Sequence, residues 1–141
     1  MTLGAEVGQA LVRALEGARE EARAGMACAG EELERAAQAV LSGARSGRVL
    51  RRADGGAYRA SAPGEPPARR TGGYMDSWRA QPVNEERRGD ALRWTCRLVT
   101  SRPETALRLE RGGGGMAARP HMRRIAETAA EALALRLRGG G

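Results

Sequence analysis

Few residues in this chain are of types that make or break bonds, and their spacing argues against catalysis. His121 is the single histidine. No second ligand type stands near it in sequence, so a zinc site is not expected. Cys28 and Cys96 are the only cysteines and form no C-x-x-C pair. One lies in an alanine-rich helical stretch and the other in a strand pattern, and both read as buried free thiols. Glu85-Glu86, Glu104 and Glu110 have no recognisable pocket around them. Glu65 stands close to Arg69 and Arg70, which favour its charged form and suit a loop salt bridge better than acid catalysis. No serine sits in a G-x-S-x-G elbow, and a chain without lysine has no Walker-type phosphate loop. The run Gly112–Gly115 does not join a strand to a helix N-terminus in a G-x-G-x-x-G frame. The residues therefore assign no catalytic, cofactor-binding or metal-binding group. The chemistry that remains is ionic: Arg51, Arg52, Arg59, Arg69 and Arg70 suit phosphates, and Tyr58 and Tyr74 suit stacked bases. No helix-turn-helix, zinc-finger or RRM signature accompanies them. The competing reading is an arginine-rich solvated surface.

Composition favours neither reading outright. The chain has 141 residues, a length of one domain, and a net charge of +7. All 24 basic residues are arginine, and glycine numbers 20. Exclusive arginine with abundant alanine and glycine is what a GC-rich genome imposes on any sequence. The charge is uneven: −2 over residues 1–45, +4 over 46–75, +1 over 76–101 and +4 over 102–141. Such polarity supports docking between neighbouring copies or onto an acidic partner. No apolar run approaches the length of a membrane span, and the first residues lack the apolar stretch of a secretory signal, so cytosolic synthesis is expected.

The elements that must position these residues read as an α+β domain. Residues 1–45 form the N-terminal helical region. Leu3, Val7, Leu11 and Ala14 fall on one face, with Leu15 at its edge. Ala18, Ala22 and Met26 continue it, and Leu33, Ala37, Val40 and Leu41 resume it. The stripe fits either a core-packing helix or one that packs between subunits. Thr2 is the expected cap, and the glycines predict a kink or break near Gly25–Gly30. Residues 46–100 carry the strands. GRVLRR (47–52) and AYRA (57–60) flank an Asp54-Gly55-Gly56 turn. Residues 61–73, SAPGEPPARRTGG, form a long loop, because Pro63, Pro66 and Pro67 exclude helix and central strand.

Residues 74–79 predict a helical turn with Tyr74 and Trp78 on one face. Residues 81–88 and 91–100 predict a hairpin across Gly89-Asp90. In its second strand Leu92, Trp94, Cys96 and Leu98 face the core. Residues 101–141 predict a short helix over 103–111, a glycine loop, and a helix opened by Pro120 at its first position. Met122, Ile125, Ala129, Leu133 and Leu137 line that last helix, and Gly139–Gly141 end it. The helices are expected to pack on a small, mainly antiparallel sheet.

Two segments together carry a resemblance. One is Tyr58-Arg59-Ala60-Ser61-Ala62-Pro63-Gly64-Glu65-Pro66-Pro67 followed by Thr71-Gly72. The other is Leu109-Glu110-Arg111-Gly112 followed by Met116-Ala117-Ala118-Arg119-Pro120. In this order and separation they resemble the Hong Kong 97-type phage minor tail-component family. That family comprises small proteins of the head–tail joining, neck or tail-completion region of long-tailed phages. The resemblance covers residues 47–135 and extends to the N-terminal helix only in type. The chain departs from the family pattern at Tyr58-Arg59, Gly73-Tyr74, Leu107-Arg108 and His121.

The resemblance implies a virion structural protein, made in the host cytoplasm, that works by binding. It implies a homo-oligomeric ring, commonly sixfold, between the connector or head-closure proteins and the tail terminator or tail tube. Contact with DNA in the channel would be transient and independent of sequence. A ring needs a heterologous interface. Ser61, Pro63, Gly64, Glu65, Pro66, Pro67, Arg69, Arg70, Thr71 and Gly72 are the expected contacts from the first block. Glu110, Gly112, Arg119 and Pro120 are those from the second. For the second block the competing expectation is that Arg119 pairs with Glu110 while Pro120 starts the helix. A tail terminator capping the tube is the alternative within the virion, and a small basic nucleic-acid-binding protein the alternative outside it.

Overall fold

The computed structural model describes residues 3–139. Thr2, Gly140 and Gly141, for which a cap and a frayed end are expected, lie outside the described residues. Strong helix formers dominate the first third of the chain, and helix α1 spans Leu3–Ser42, 40 residues or about 60 Å. The expected break at Gly25–Gly30 does not occur. At Gly30 the helix backbone approaches another segment so closely that a Cβ would stand 3.0 Å from Cys96 Sγ and 3.3 Å from Ala80 Cβ. The close approach that glycine permits here compensates for its poor helix propensity.

The core lies at the C-terminal end of α1. Ala36, Ala37 and Leu41 are buried there with Trp78, Ala106, Ile125 and Ala129, flanked by Leu33, Val40, Met75, Leu98 and Met122. The last helix, α4 (Met122–Gly139), runs antiparallel to α1. Its Arg136 bonds Glu31 and buried Glu32 of α1 at 3.0 and 3.1 Å. Small alanines at this seam let the two helices approach. Leu137, the last residue of the expected stripe, is exposed.

The strands form three two-stranded antiparallel pairs rather than one sheet. Strand β1 (Val49–Arg51) pairs with β2 (Ala57–Arg59) across the expected Asp54 turn. After a single turn of helix, α2 (Gly73–Asp76), the chain enters β3 (Trp78–Ala80), so Trp78 belongs to a strand and not to the expected helical turn. Strand β4 (Asn84–Arg88) pairs with β5 (Ala91–Thr95), and β3 pairs with β6 (Leu98–Thr100).

These last four strands are one long hairpin with a defect in the middle. The register runs Arg88↔Ala91 to Asn84↔Thr95, then resumes at Ala80↔Leu98. Three residues on one side thus oppose two on the other, as in a bulge. Pro82 has no backbone N–H, so the ladder cannot run through this point. The expected single strand 91–100 is split there at Cys96-Arg97. The side-chain alternation survives except at Thr95: Leu92, Trp94, Cys96 and Leu98 are half-buried and Arg93, Arg97 and Val99 exposed, but Thr95, expected to face outward, is half-buried too. Both cysteines are free and half-buried rather than fully buried. Helix α3 (Pro103–Arg111) completes the fold, which is α+β.

Candidate functional site

The two sequence blocks meet. Ser61, Pro67, Arg69, Arg70, Thr71 and Gly72 of the first block and Leu109 and Arg119 of the second line one cleft of about 620 Å³. Leu41, Tyr58, Tyr74, Met75, Arg52 and Arg102 contribute to the same lining.

The proline-rich segment 61–72 forms the outer wall, and the protein's own side chains hold it. Ser61 Oγ donates to the Pro66 carbonyl at 2.6 Å and closes the loop on itself. Arg45, just past α1, donates through Nε to the Pro66 carbonyl at 2.8 Å and through Nη2 to the Pro67 carbonyl at 3.0 Å. Glu65 Oε1 accepts from Ala62 N at 2.6 Å and from both Ser46 N and Ser46 Oγ at 3.0 Å. The backbone N–H groups of Ala62 and Ser46, then Ser46 Oγ and the charge of Arg45, hold the Glu65 carboxyl below its usual range. The expected partners Arg69 and Arg70 play no part. Ser61, Pro66, Pro67 and Gly72 are buried within the chain's own fold, so they are not free to reach a neighbour. Pro63, Gly64, Arg69, Arg70 and Thr71 are exposed.

The inner wall is organised by a hydrogen-bonded set that the sequence did not reveal. Glu110 Oε2, at the end of α3, accepts from His121 N at 2.8 Å and Met122 N at 3.2 Å. A carboxylate thus caps the N-terminus of α4, where two orphan donors and the helix dipole favour it. This cap starts α4 two residues after Pro120, which is therefore not the first helical residue and is exposed.

The same oxygen lies 3.0 Å from His121 Nδ1, which also contacts the Arg119 carbonyl at 2.7 Å. Both neighbours are acceptors, so Nδ1 carries the hydrogen. In the neutral ring Nε2 then accepts from the Tyr74 hydroxyl at 2.6 Å. His121 is 1% exposed, and its ring sits edge-on to Tyr74 and Trp78. Burial pushes the Tyr74 hydroxyl up to about 12. A Glu–His–Tyr chain has the members of a proton relay. Here its polar atoms are spent on tying α2, α3 and α4 together, and the imidazole is shut off from solvent.

Arg119 does not pair with Glu110. Its Nη1 is buried without a hydrogen-bond partner, a state that costs about 1–3 kcal/mol. Gly112 ends α3 with φ +73, ψ −169, and a Cβ there would stand 2.7 Å from Ala118 N and 2.8 Å from Met116 O. Only glycine fits. It packs the segment before Arg119 against the end of α3, helped by Arg119 N donating to the Leu109 carbonyl at 2.6 Å.

Far from this cleft, the first half of α1 projects. Residues 5–21 are exposed all round, including Val7 at 60%, Leu11 at 59% and Leu15 at 62%. Arg19 and Arg23 tie it to the rest of the fold. Arg19 Nε and Nη2 grip Glu85 at 2.6 and 2.9 Å, and Arg23 Nη2 reaches it at 3.3 Å. Arg19 holds the Glu85 carboxyl below its usual range. Among the described residues no group of three or more His, Cys, Asp or Glu is arranged to hold a metal, and no helix is long and apolar enough to cross a membrane. No protein-family model, curated protein or solved structure matches the chain.

Proposed function

We propose that this chain is a structural protein of the phage head–tail joining region that assembles as a ring and acts by binding rather than catalysis. The resemblance of residues 58–72 and 109–120 to that family carries the reading. Its physical support is the uncovered helix. The chain exposes 9759 Å², whereas a compact monomer of 15.0 kDa exposes about 7,000 Å². The excess is of the size that stable homo-oligomers bury. The projecting half of α1 carries an apolar stripe that none of the described residues covers, and a heterologous contact with the next copy would cover it. The partners are then further copies of this chain, the connector side of the head and the tail tube, with the virion as location. The exposed parts of the first block, Pro63, Gly64, Arg69, Arg70 and Thr71, would face those neighbours.

Electron microscopy of particles produced without this gene tests the reading. DNA-filled heads lying apart from tails are expected. Overlong tails would transfer the protein to a tail-terminator role, and normally tailed particles would sink the proposal. Native mass spectrometry of the purified chain should show a closed oligomer, six times the 15.0 kDa chain mass for a sixfold ring.

A further inference from the structure

We propose that the cleft between the two blocks is a binding site for phosphate-type anions. The inference goes beyond the assembly role and does not depend on it. Five arginines line the cleft: Arg52, Arg69, Arg70, Arg102 and Arg119. The only acid in the lining is Asp54, already engaged by Gly56 N at 2.8 Å and Arg52 Nε at 3.3 Å. Asp76 stands near Gly72 as Arg69 does, but is not part of the lining. Among the described residues no carboxylate pairs with Arg69, Arg70, Arg102 or Arg119.

Several like charges held around one concavity repel one another and focus a positive potential into it. The fold relieves that repulsion only at Arg52, through Asp54, and leaves the other four cleft arginines without an acid among the described residues, although it pairs Arg19, Arg23, Arg35, Arg123 and Arg136 elsewhere. Arg52 and Arg70 are also held in place. Arg52 Nη1 donates to the Arg70 carbonyl at 3.0 Å, and the Arg70 guanidinium lies 5.9 Å from the centre of the Tyr58 ring. The Arg102 guanidinium packs so close to Gly73 that a Cβ there would stand 2.9 Å from Nη2. Arg119 brings the unsatisfied buried Nη1. Guanidinium forks match the paired oxygens of a phosphate, and such charge-assisted bonds are the strong ones. The cleft's volume lies within the range of ordinary ligand sites. The phosphate groups could belong to a nucleic-acid backbone or to a free phosphate compound.

Calorimetric titration of the full chain with inorganic pyrophosphate tests the site. Binding is expected, and replacing exposed Arg69 and Arg102 together by Gln should weaken it about tenfold or more, since charged hydrogen bonds are lost. The double variant Arg87→Gln, Arg93→Gln removes the same charge from the β4–β5 hairpin and should leave affinity nearly unchanged. Arg119→Gln serves as a second cleft variant, with near-ultraviolet circular dichroism to confirm the fold of each. Competition by a duplex oligonucleotide would identify a nucleic-acid backbone as the source, and its failure to compete a free phosphate compound; either result supports the site. No pyrophosphate binding, equal losses in the cleft and hairpin variants, or binding of polyglutamate in place of pyrophosphate would overturn it.

Discussion

From Leu33 to Leu41, helix α1 sets its apolar stripe against α4 and the strands, and Ala36, Ala37 and Leu41 disappear from solvent. From Val7 to Leu15 the same helix, with the same periodicity, leaves its stripe in water. The pattern of residues is alike in the two halves. What differs is whether the chain supplies a covering element: α4 is 18 residues long, and α1 is 40. Periodicity therefore states that a face needs a cover, and the lengths of the neighbouring elements state whether the cover comes from within.

Substitutions should separate the halves sharply. Leu41→Ala removes a fully buried side chain at the core and should cost about 2–5 kcal/mol, read as a lowered denaturation midpoint at any protein concentration. Gly112→Ala places a Cβ against Ala118 and Met116 in a backbone region reserved for glycine. A loss of about 1–3 kcal/mol is expected, confined to the cleft side of the molecule and visible as faster amide exchange there.

A smaller effect should follow pH. The Glu65 carboxyl ionises below its unfolded value. Its contribution is fully present above the ordinary carboxylate range and is lost as pH falls through the folded value. Glu65→Gln should therefore flatten the acid limb of a stability-versus-pH curve and leave the Leu11 region untouched. Least of all, Leu11→Glu with Leu15→Glu should move the stability of the isolated monomer by no more than about 0.5 kcal/mol. The same pair should dissociate any oligomer in sedimentation. A large loss of monomer stability would break the distinction between the halves.

Much of the fold was legible because alternation and helical spacing report which way a side chain faces. Leu92, Trp94, Cys96 and Leu98 keep their facing across the bulge, so reading them as a strand identified the buried side. The same reading missed the change of partner at Pro82, since facing says nothing about pairing. The proline-rich segment was visible as a loop from Pro63, Pro66 and Pro67. Its anchorage was not, because Arg45 and Ser46 reach it from some 20 residues away in sequence. The Glu110–His121–Tyr74 set escaped for a similar reason. Its members come from two helices and the residue just before a third, and a lone histidine gives no local sign of the acid and phenol that the fold delivers to it. Pro120 looked like a helix start on its own chemistry, but the Glu110 carboxylate, supplied by α3, sets the boundary two residues later.

The grip of Arg19 and Arg23 on Glu85 acquires a mechanical meaning from its place along α1. It acts as a strut near the middle of a rod, with some 24 Å of helix beyond it at 1.5 Å per residue. A tilt of about 10° at that strut swings the far end by roughly 4 Å over this length, about the width of one side chain. Three hydrogen bonds to a single carboxylate therefore brace the projecting half of α1 against the β4–β5 hairpin.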